Sequence, residues 1–218
     1  MKPVIISVFL LSFFHSIECD LDCYKCKGRN HETCQQTVVK CAKGQSCMTI
    51  SEECIVNGTH HSVWKGCSGN MPCNEMAYSR VNKDVSIRSN IQCCDKNQCN
   101  DQFYQMPKEG LPQGPKCPSC FKFDSTEECV PDNITACQGI DDKCVTFVGT
   151  IEKPDKTQTT YTMKGCMSSV GCNLELDEVV GCRVLEEKIF RCVDPTSKLP
   201  NDEAVEKEKI ALVPGTYA

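Results

Sequence analysis

The sequence predicts an all-β, disulfide-rich protein built from two tandem copies of one scaffold. Three observations predict it: 21 cysteines in 218 residues, a cysteine spacing that occurs twice, and strand-and-turn patterning between the cysteines. From Cys23 the chain runs C-x2-C-x7-C-x6-C-x5-C-x19-C-x5-C-x19-CC-x4-C-N, through Cys26, Cys34, Cys41, Cys47, Cys67, Cys73, Cys93, Cys94, Cys99 and Asn100. From Cys117 it runs C-x2-C-x8-C-x7-C-x6-C-x21-C-x5-C-x19-C, through Cys120, Cys129, Cys137, Cys144, Cys166, Cys172 and Cys192. Seven intervals that agree to within two residues mark an internal repeat.

Taken in order, residues 1–19 combine Lys2, an apolar run from Pro3 to Phe14 and a polar stretch from His15 to Glu18. This reads as a secretory signal peptide, too short and wrongly flanked for a membrane span. Cleavage near Cys19 leaves a chain starting about Asp20 with twenty cysteines, an even number that suits full pairing. Secretion supplies the oxidising compartment in which bridges persist. Each copy, 20–100 and 117–192, has a size at which hydrophobic burial alone is marginal. In the chain-entropy account a bridge closing a fifteen-residue loop contributes about 3 kcal/mol, so several per copy outweigh a thin core.

Between the cysteines the segments read as β-hairpins. In copy one, Met48 to Ile50 and Ser62 to Trp64 flank the turn signal Asn57-Gly58. In copy two, Val145 to Ile151 and Thr157 to Met163 flank Lys153-Pro154-Asp155-Lys156. Both hairpins close on one tripeptide, Lys65-Gly66-Cys67 and Lys164-Gly165-Cys166, so the repeat extends beyond the cysteines. Residues 101–116 (DQFYQMPKEGLPQGPK) have the composition of a linker. Residues 193–218 are charged without a periodic apolar face and read as a flexible tail. That tail lacks the ~10–20 apolar residues of a lipid-anchor signal, so a released protein without a membrane anchor is expected.

Charge narrows the choice of partner. Residues 20–100 carry ten Lys/Arg against eight Asp/Glu, a net of +2, while 101–218 carry thirteen against twenty, a net of −7. Neither half has the dense basic stripe that phosphate-backbone binding needs, which argues against nucleic acid.

These residues carry a family resemblance. Copy one, opening with Leu21-Asp22-Cys23-Tyr24-Lys25-Cys26 and closing with Cys93-Cys94-Asp95-Lys96-Asn97-Gln98-Cys99-Asn100, resembles a complete three-finger domain of the urokinase-receptor and lymphocyte-antigen type. The resemblance implies Cys23–Cys47, Cys26–Cys34, Cys41–Cys67, Cys73–Cys93 and Cys94–Cys99. Spacing alone does not select this connectivity. No CC-x4-C-N follows Cys192, so copy two is expected to lack the last bridge and to keep Cys117–Cys144, Cys120–Cys129, Cys137–Cys166 and Cys172–Cys192. Cys54 and Cys182 fall outside both frameworks, which leaves a bridge between them or a bridge between two chains. A signal peptide, one full domain, one domain lacking its last bridge and no lipid anchor together resemble the gamma-type phospholipase A2 inhibitors of serum. The same architecture resembles the sodefrin-type courtship-pheromone precursors of amphibians.

Rival chemistries fare worse. Cys23-x2-Cys26 and Cys117-x2-Cys120 have zinc-ribbon spacing, but in an exported chain with a further cysteine eight or nine residues on, the disulfide reading prevails, and neither metal nor cofactor is expected. Small secreted phospholipases need a histidine base and a bound calcium ion. After Cys93-Cys94 come Asp95, Lys96, Asn97 and Gln98, and past the signal only His31, His60 and His61 remain, so no enzyme is expected. Asn57-Gly58-Thr59 and Asn133-Ile134-Thr135 are N-glycosylation sequons. Trp64, the one tryptophan, suits either a strand residue packed over the bridges or an interface anchor. Phe103, Tyr104 and Met106 suit a domain seam or a contact surface, the seam being preferred. The expected function is a secreted binding protein that occludes a phospholipase A2, with oligomerisation as a source of avidity. The alternative is a secreted signalling protein or a pheromone precursor of the sodefrin type, acting whole on a receptor or through a tail peptide released by proteolysis.

Overall fold

The computed structural model describes residues 20–29, 34–56, 58–152, 157–174 and 183–195. The signal region, His31, the sequon residue Asn57, the turn 153–156, Cys182 and the segment beyond 195 lie outside them. Copy one contributes β1 (Asp22–Arg29), β2 (Thr37–Lys40), β3 (Cys47–Val56), β4 (Thr59–Cys67), β5 (Glu75–Arg80), β6 (Val85–Cys94) and a 3-10 turn at Cys99–Asp101. Copy two contributes β7 (Lys116–Phe123), β8 (Asn133–Ala136), β9 (Lys143–Glu152), β10 (Gln158–Met167), one helical turn α1 (Ser169–Cys172) and β11 (Arg183–Val193). All the strand pairs are antiparallel.

The repeat seen in the cysteines is a repeat of register. Cys47 faces Cys67 across β3 and β4, and Cys144 faces Cys166 across β9 and β10. The opening strand of each copy changes partner halfway. β1 pairs β2 through Lys25 and β4 from Cys26 onward, and β7 pairs β8 through Ser119 and β10 from Cys120 onward.

Nine disulfides join eighteen of the described cysteines: Cys23–Cys47, Cys26–Cys34, Cys41–Cys67, Cys73–Cys93, Cys94–Cys99, Cys117–Cys144, Cys120–Cys129, Cys137–Cys166 and Cys172–Cys192. Their Cα–Cα separations run from 5.2 to 6.1 Å, the ordinary span of a bridge. In each copy two bridges stack: Cys23 Sγ lies 3.1 Å from Cys41 Sγ, and Cys117 Sγ lies 3.5 Å from Cys137 Sγ. Sulfur therefore occupies the centre where larger domains place aliphatic side chains. The triads Cys23, Cys41, Cys67 and Cys117, Cys137, Cys166 bring their sulfurs within metal-binding range, but every one of those atoms is spent in a bridge.

The end of copy one is tied back by Asn100, which is 1% exposed. Its carboxamide oxygen accepts the Tyr24 N–H at 3.0 Å, and its nitrogen donates to the carbonyls of Tyr24 at 2.8 Å and Met48 at 3.0 Å. Burying an amide is tolerable when both ends are satisfied in this way. Among the described residues copy two has no such plug, and it ends differently. Val193 is the last residue of β11, paired with Cys144, and Asp194 forms an ion pair with Lys143. β11 thus runs one residue past Cys192, after which the sequence places the tail.

Candidate interaction surface at the domain seam

The two copies form one sheet, in the order β11-β9-β10-β5-β6-β3-β4-β1-β2, with β7 and β8 branching from β10. The joint is short. β10 pairs with β5 only at Cys166↔Arg80 and Met167↔Ser79. It is extended by Ser168, whose N–H donates to the Tyr78 carbonyl at 3.0 Å and whose hydroxyl accepts the Tyr78 N–H at 3.1 Å. The same hydroxyl accepts the Gly171 N–H at 3.0 Å, so one buried serine both caps α1 and joins the domains.

Gly165 makes the close approach possible. A Cβ there would lie 3.0 Å from the carbonyl carbon of Arg80 and from Val81 Cα, and inside contact distance of the Arg80 oxygen. At the equivalent Gly66 a Cβ would meet only the Trp64 ring, at 2.9 Å. One tripeptide thus serves two purposes: in copy one it seats an indole, and in copy two it admits another domain.

Tyr78 fixes the joint from the other side. Its hydroxyl donates to the Asp142 carboxylate and accepts the Gln138 N–H at 2.8 Å, while Asp142 also accepts the Gly139 N–H at 2.5 Å. Burial, and then the hydrogen bond to Asp142, pushes the Tyr78 phenol well above its ordinary value, so it remains a donor. Apolar contacts flank this network. Val81 of copy one packs among Val145, Phe147, Met163 and Met167 of copy two. Leu174 and Val170 of copy two pack on Met48, Ile50, Ala77 and Ile91 of copy one, beside Trp64.

Residues 101–116 are a strap rather than a loose connector. The strap starts at the buried Lys65, whose ammonium donates to the Asp101 carbonyl and sits 4.5 Å above the centre of the Phe103 ring. Burial lowers the Lys65 pKa, and the Asp101 charge partly offsets this. Next, the Tyr104 N–H donates to Ser51 Oγ at 3.3 Å on β3, the Gln105 carbonyl accepts Asn90 Nδ2 at 3.2 Å on β6, and the Pro107 carbonyl accepts the Arg88 guanidinium. Glu109 then pairs with Arg88 at 3.6 Å and with Arg80 on β5. The strap enters copy two through Gln113 N–H to the Gln138 carbonyl and Gly114 N–H to the Cys137 carbonyl, at 3.2 and 2.9 Å. It crosses strands in the spatial order β4-β3-β6-β5, so it braces the sheet that it follows.

The aromatic residues singled out in the sequence take different places. Phe103 packs on Cys26, Cys34 and Val63 inside copy one, not at the seam, because the cation of Lys65 and the bridge beneath claim its ring. Tyr104 and Met106 are half-buried on the strap. Trp64 is half-buried against the cluster that Leu174 completes. His60 and His61 stand in β4 opposite Cys54 and Glu53. Asn133 is exposed at the start of β8. Sequence reasoning missed Tyr78, Ser168 and Asp142, which have no motif, and the burial of Lys65 and Lys164. Lys164 reaches Glu128 at 2.9 Å, and Arg191 reaches the other oxygen of Glu128 at 3.0 Å. Burial pushes the Glu128 carboxyl upward, but hydrogen bonds and charge from Lys164 and Arg191 outweigh it and hold the group below the ordinary value of 4.5.

The u-PAR/Ly-6 domain family matches residues 19–102 and again residues 113–194. The chain belongs to the u-PAR/Ly-6 family. Among its relatives, the u-PAR/Ly-6 chain is 31% identical to phospholipase A2 inhibitor 1 of Protobothrops flavoviridis over 162 residues, 72% of each chain. It is 30% identical to phospholipase A2 inhibitor CNF of Crotalus durissus terrificus, again over 162 residues and 72% of each chain. Among solved structures it is similar to mouse TEX101, at 16% identity and a TM-score of 0.31, covering 78% of this chain and 99% of the other. The tandem three-finger organisation expected from the cysteines is therefore that of the family, and the relatives named as phospholipase A2 inhibitors match most of the chain.

Proposed function

We propose that this protein is secreted, has no catalytic activity of its own, and inhibits a phospholipase A2 by binding it and blocking its approach to lipid. The observation that carries the reading is the fusion of two bridged domains into one braced sheet, in a chain about 30% identical to proteins named for that inhibition over most of its length. Such a body loses little conformational entropy on binding, because bridges, seam and strap have already removed it. Occlusion needs no catalytic constellation, only area and shape. The outer parts of Trp64 and Met106 are proposed as contacts, whereas Phe103 is spent internally and Tyr104 gives its backbone N–H to Ser51. The difference in charge between the copies gives the surface a polarity that orients an enzyme as it docks.

The test is direct. Immobilised full-length protein should retain a secreted phospholipase A2, and in solution it should slow that enzyme on phospholipid vesicles in proportion to the protein added. If purified secreted phospholipases neither bind nor slow at micromolar protein, the reading is wrong.

A further inference from the structure

A sheet whose outer strands pair on one side only offers unsatisfied N–H and C=O groups to any passing strand. Among the described residues three strands are one-sided: β2 pairs β1, β11 pairs β9 and β8 pairs β7. Two of them carry recognisable guards. β11 bears Glu186, Glu187, Lys188 and Arg191, and its register slips twice, between Val184 and Glu186 and between Glu187 and Ile189. β2 ends in the exposed Lys40.

β8, Asn133–Ala136, has no charged residue, and its nearest charge is Asp132 at the entrance. It is also sticky: Ile134 is 67% exposed, and Val130 just ahead of it is 80% exposed. This strand, guarded by no charge, is the one of the three that contains an Asn-x-Thr acceptor, with Asn133 on the surface and its carboxamide oxygen accepting the Ile134 N–H at 2.8 Å. From that coincidence we infer that Asn133 carries an N-linked glycan whose role is to keep the open edge of β8 from pairing with other chains.

The chemistry is ordinary for the secretory route. Asn133 Nδ2 displaces the diphosphate of a lipid-linked oligosaccharide, forming the bond to the first N-acetylglucosamine as the sugar–oxygen bond breaks and the amide proton leaves to base. Thr135 is 9% exposed in the folded domain, so the transfer happens on the emerging chain, before its hydroxyl is buried. Alternation puts Asn133 and Thr135 on one face and Ile134 on the other. The sugar therefore does not cover Ile134; it stands at the first residue of the strand and obstructs an incoming backbone.

This inference rests on the export proposed above but not on the phospholipase reading, and its failure would leave that reading untouched. The experiment uses the full chain secreted from eukaryotic cells. Glycopeptide mass spectrometry should find the sugar on Asn133, and N133Q should lose that mass and sediment as larger species than the glycosylated protein at equal concentration. T135V, which erases the acceptor but keeps Asn133, should behave as N133Q does. Ile134→Lys added to N133Q should restore dispersion by supplying the missing charge. An unmodified Asn133 would overturn the inference, and so would glycan-free variants that stay as dispersed as the glycosylated protein.

Discussion

Replacing Gly165 with alanine tests the joint between the domains at its narrowest point. The added methyl carbon would meet the Arg80 carbonyl and Val81 Cα, which are backbone atoms with no rotamer to turn aside. Gly165 does not use the left-handed backbone region, so the cost is one of contact rather than of dihedral strain. Overpacking of this kind costs about 1–3 kcal/mol. Parting β10 from β5 also loosens the two Ser168–Tyr78 hydrogen bonds, at about 1 kcal/mol each. Alanine recovers roughly 0.5–1 kcal/mol of strand preference over glycine, less than either loss. The net, about 2–4 kcal/mol, corresponds to a ~30- to 1,000-fold loss of hydrogen-exchange protection at the Tyr78 and Ser168 amides. All the bridges should remain formed by thiol titration. Gly66→Ala is the matched control: its new methyl meets the Trp64 ring rather than backbone of the other domain, and neither Gly66 nor Trp64 takes part in the Ser168–Tyr78 hydrogen bonds, so those amides should keep their protection. Equal protection in Gly165→Ala and wild type would refute the account of the joint.

Other predictions follow from the same contacts. Tyr78→Phe removes the donor to the buried Asp142 and the acceptor of Gln138 N–H in a half-buried site, and should cost about 1–3 kcal/mol in denaturant unfolding. Unchanged stability would show that water replaces the phenol. Glu128 has a folded pKa below 4.5, so its contribution is complete above the unfolded value and is lost as pH falls through the folded one. Stability measured from pH 6 downward should fall more steeply in wild type than in Glu128→Gln, and parallel curves would discount the Lys164–Glu128–Arg191 cluster. Leu174 carries the chain onto the face of β3 that holds Met48 and Ile50, and Cys54 shares that face by alternation. We propose that Cys54 bridges Cys182 within one chain; nonreducing peptide maps should contain that pair in a monomer, and a crosslinked dimer would contradict it.

What was legible in the sequence was whatever leaves a local trace. Cysteine intervals gave the repeat, β-branched runs around turn residues gave β3, β4, β9 and β10, and the missing CC-x4-C-N announced a differently ended second domain. The joint left no trace because its members are far apart: Tyr78 and Ser168 are separated by 90 residues, and Tyr78 and Asp142 by 64. Nothing local marks Lys65 and Lys164 for burial, because lysine is rarely buried. Here the strap buries one and Glu128 receives the other, and both conditions depend on tertiary structure. The strap misled for a similar reason. Pro, Gly and Gln describe a segment without strands of its own, and say nothing about whether a neighbouring sheet supplies partners for its backbone. The sequence favours the seam for Phe103 because an aromatic on a connector needs cover, but the cover comes from its own domain.

The central claim is that the joined pair of domains, as one stiff body, is what blocks a phospholipase. Its most direct test is vesicle hydrolysis by a secreted phospholipase A2, titrated side by side with wild type and Gly165→Ala of intact bridges. The account predicts that wild type reduces the rate toward completion as it saturates the enzyme, and that the variant needs more protein to reach the same effect. Full enzymatic rate in the presence of excess wild type, or identical titrations for the two proteins, would contradict it.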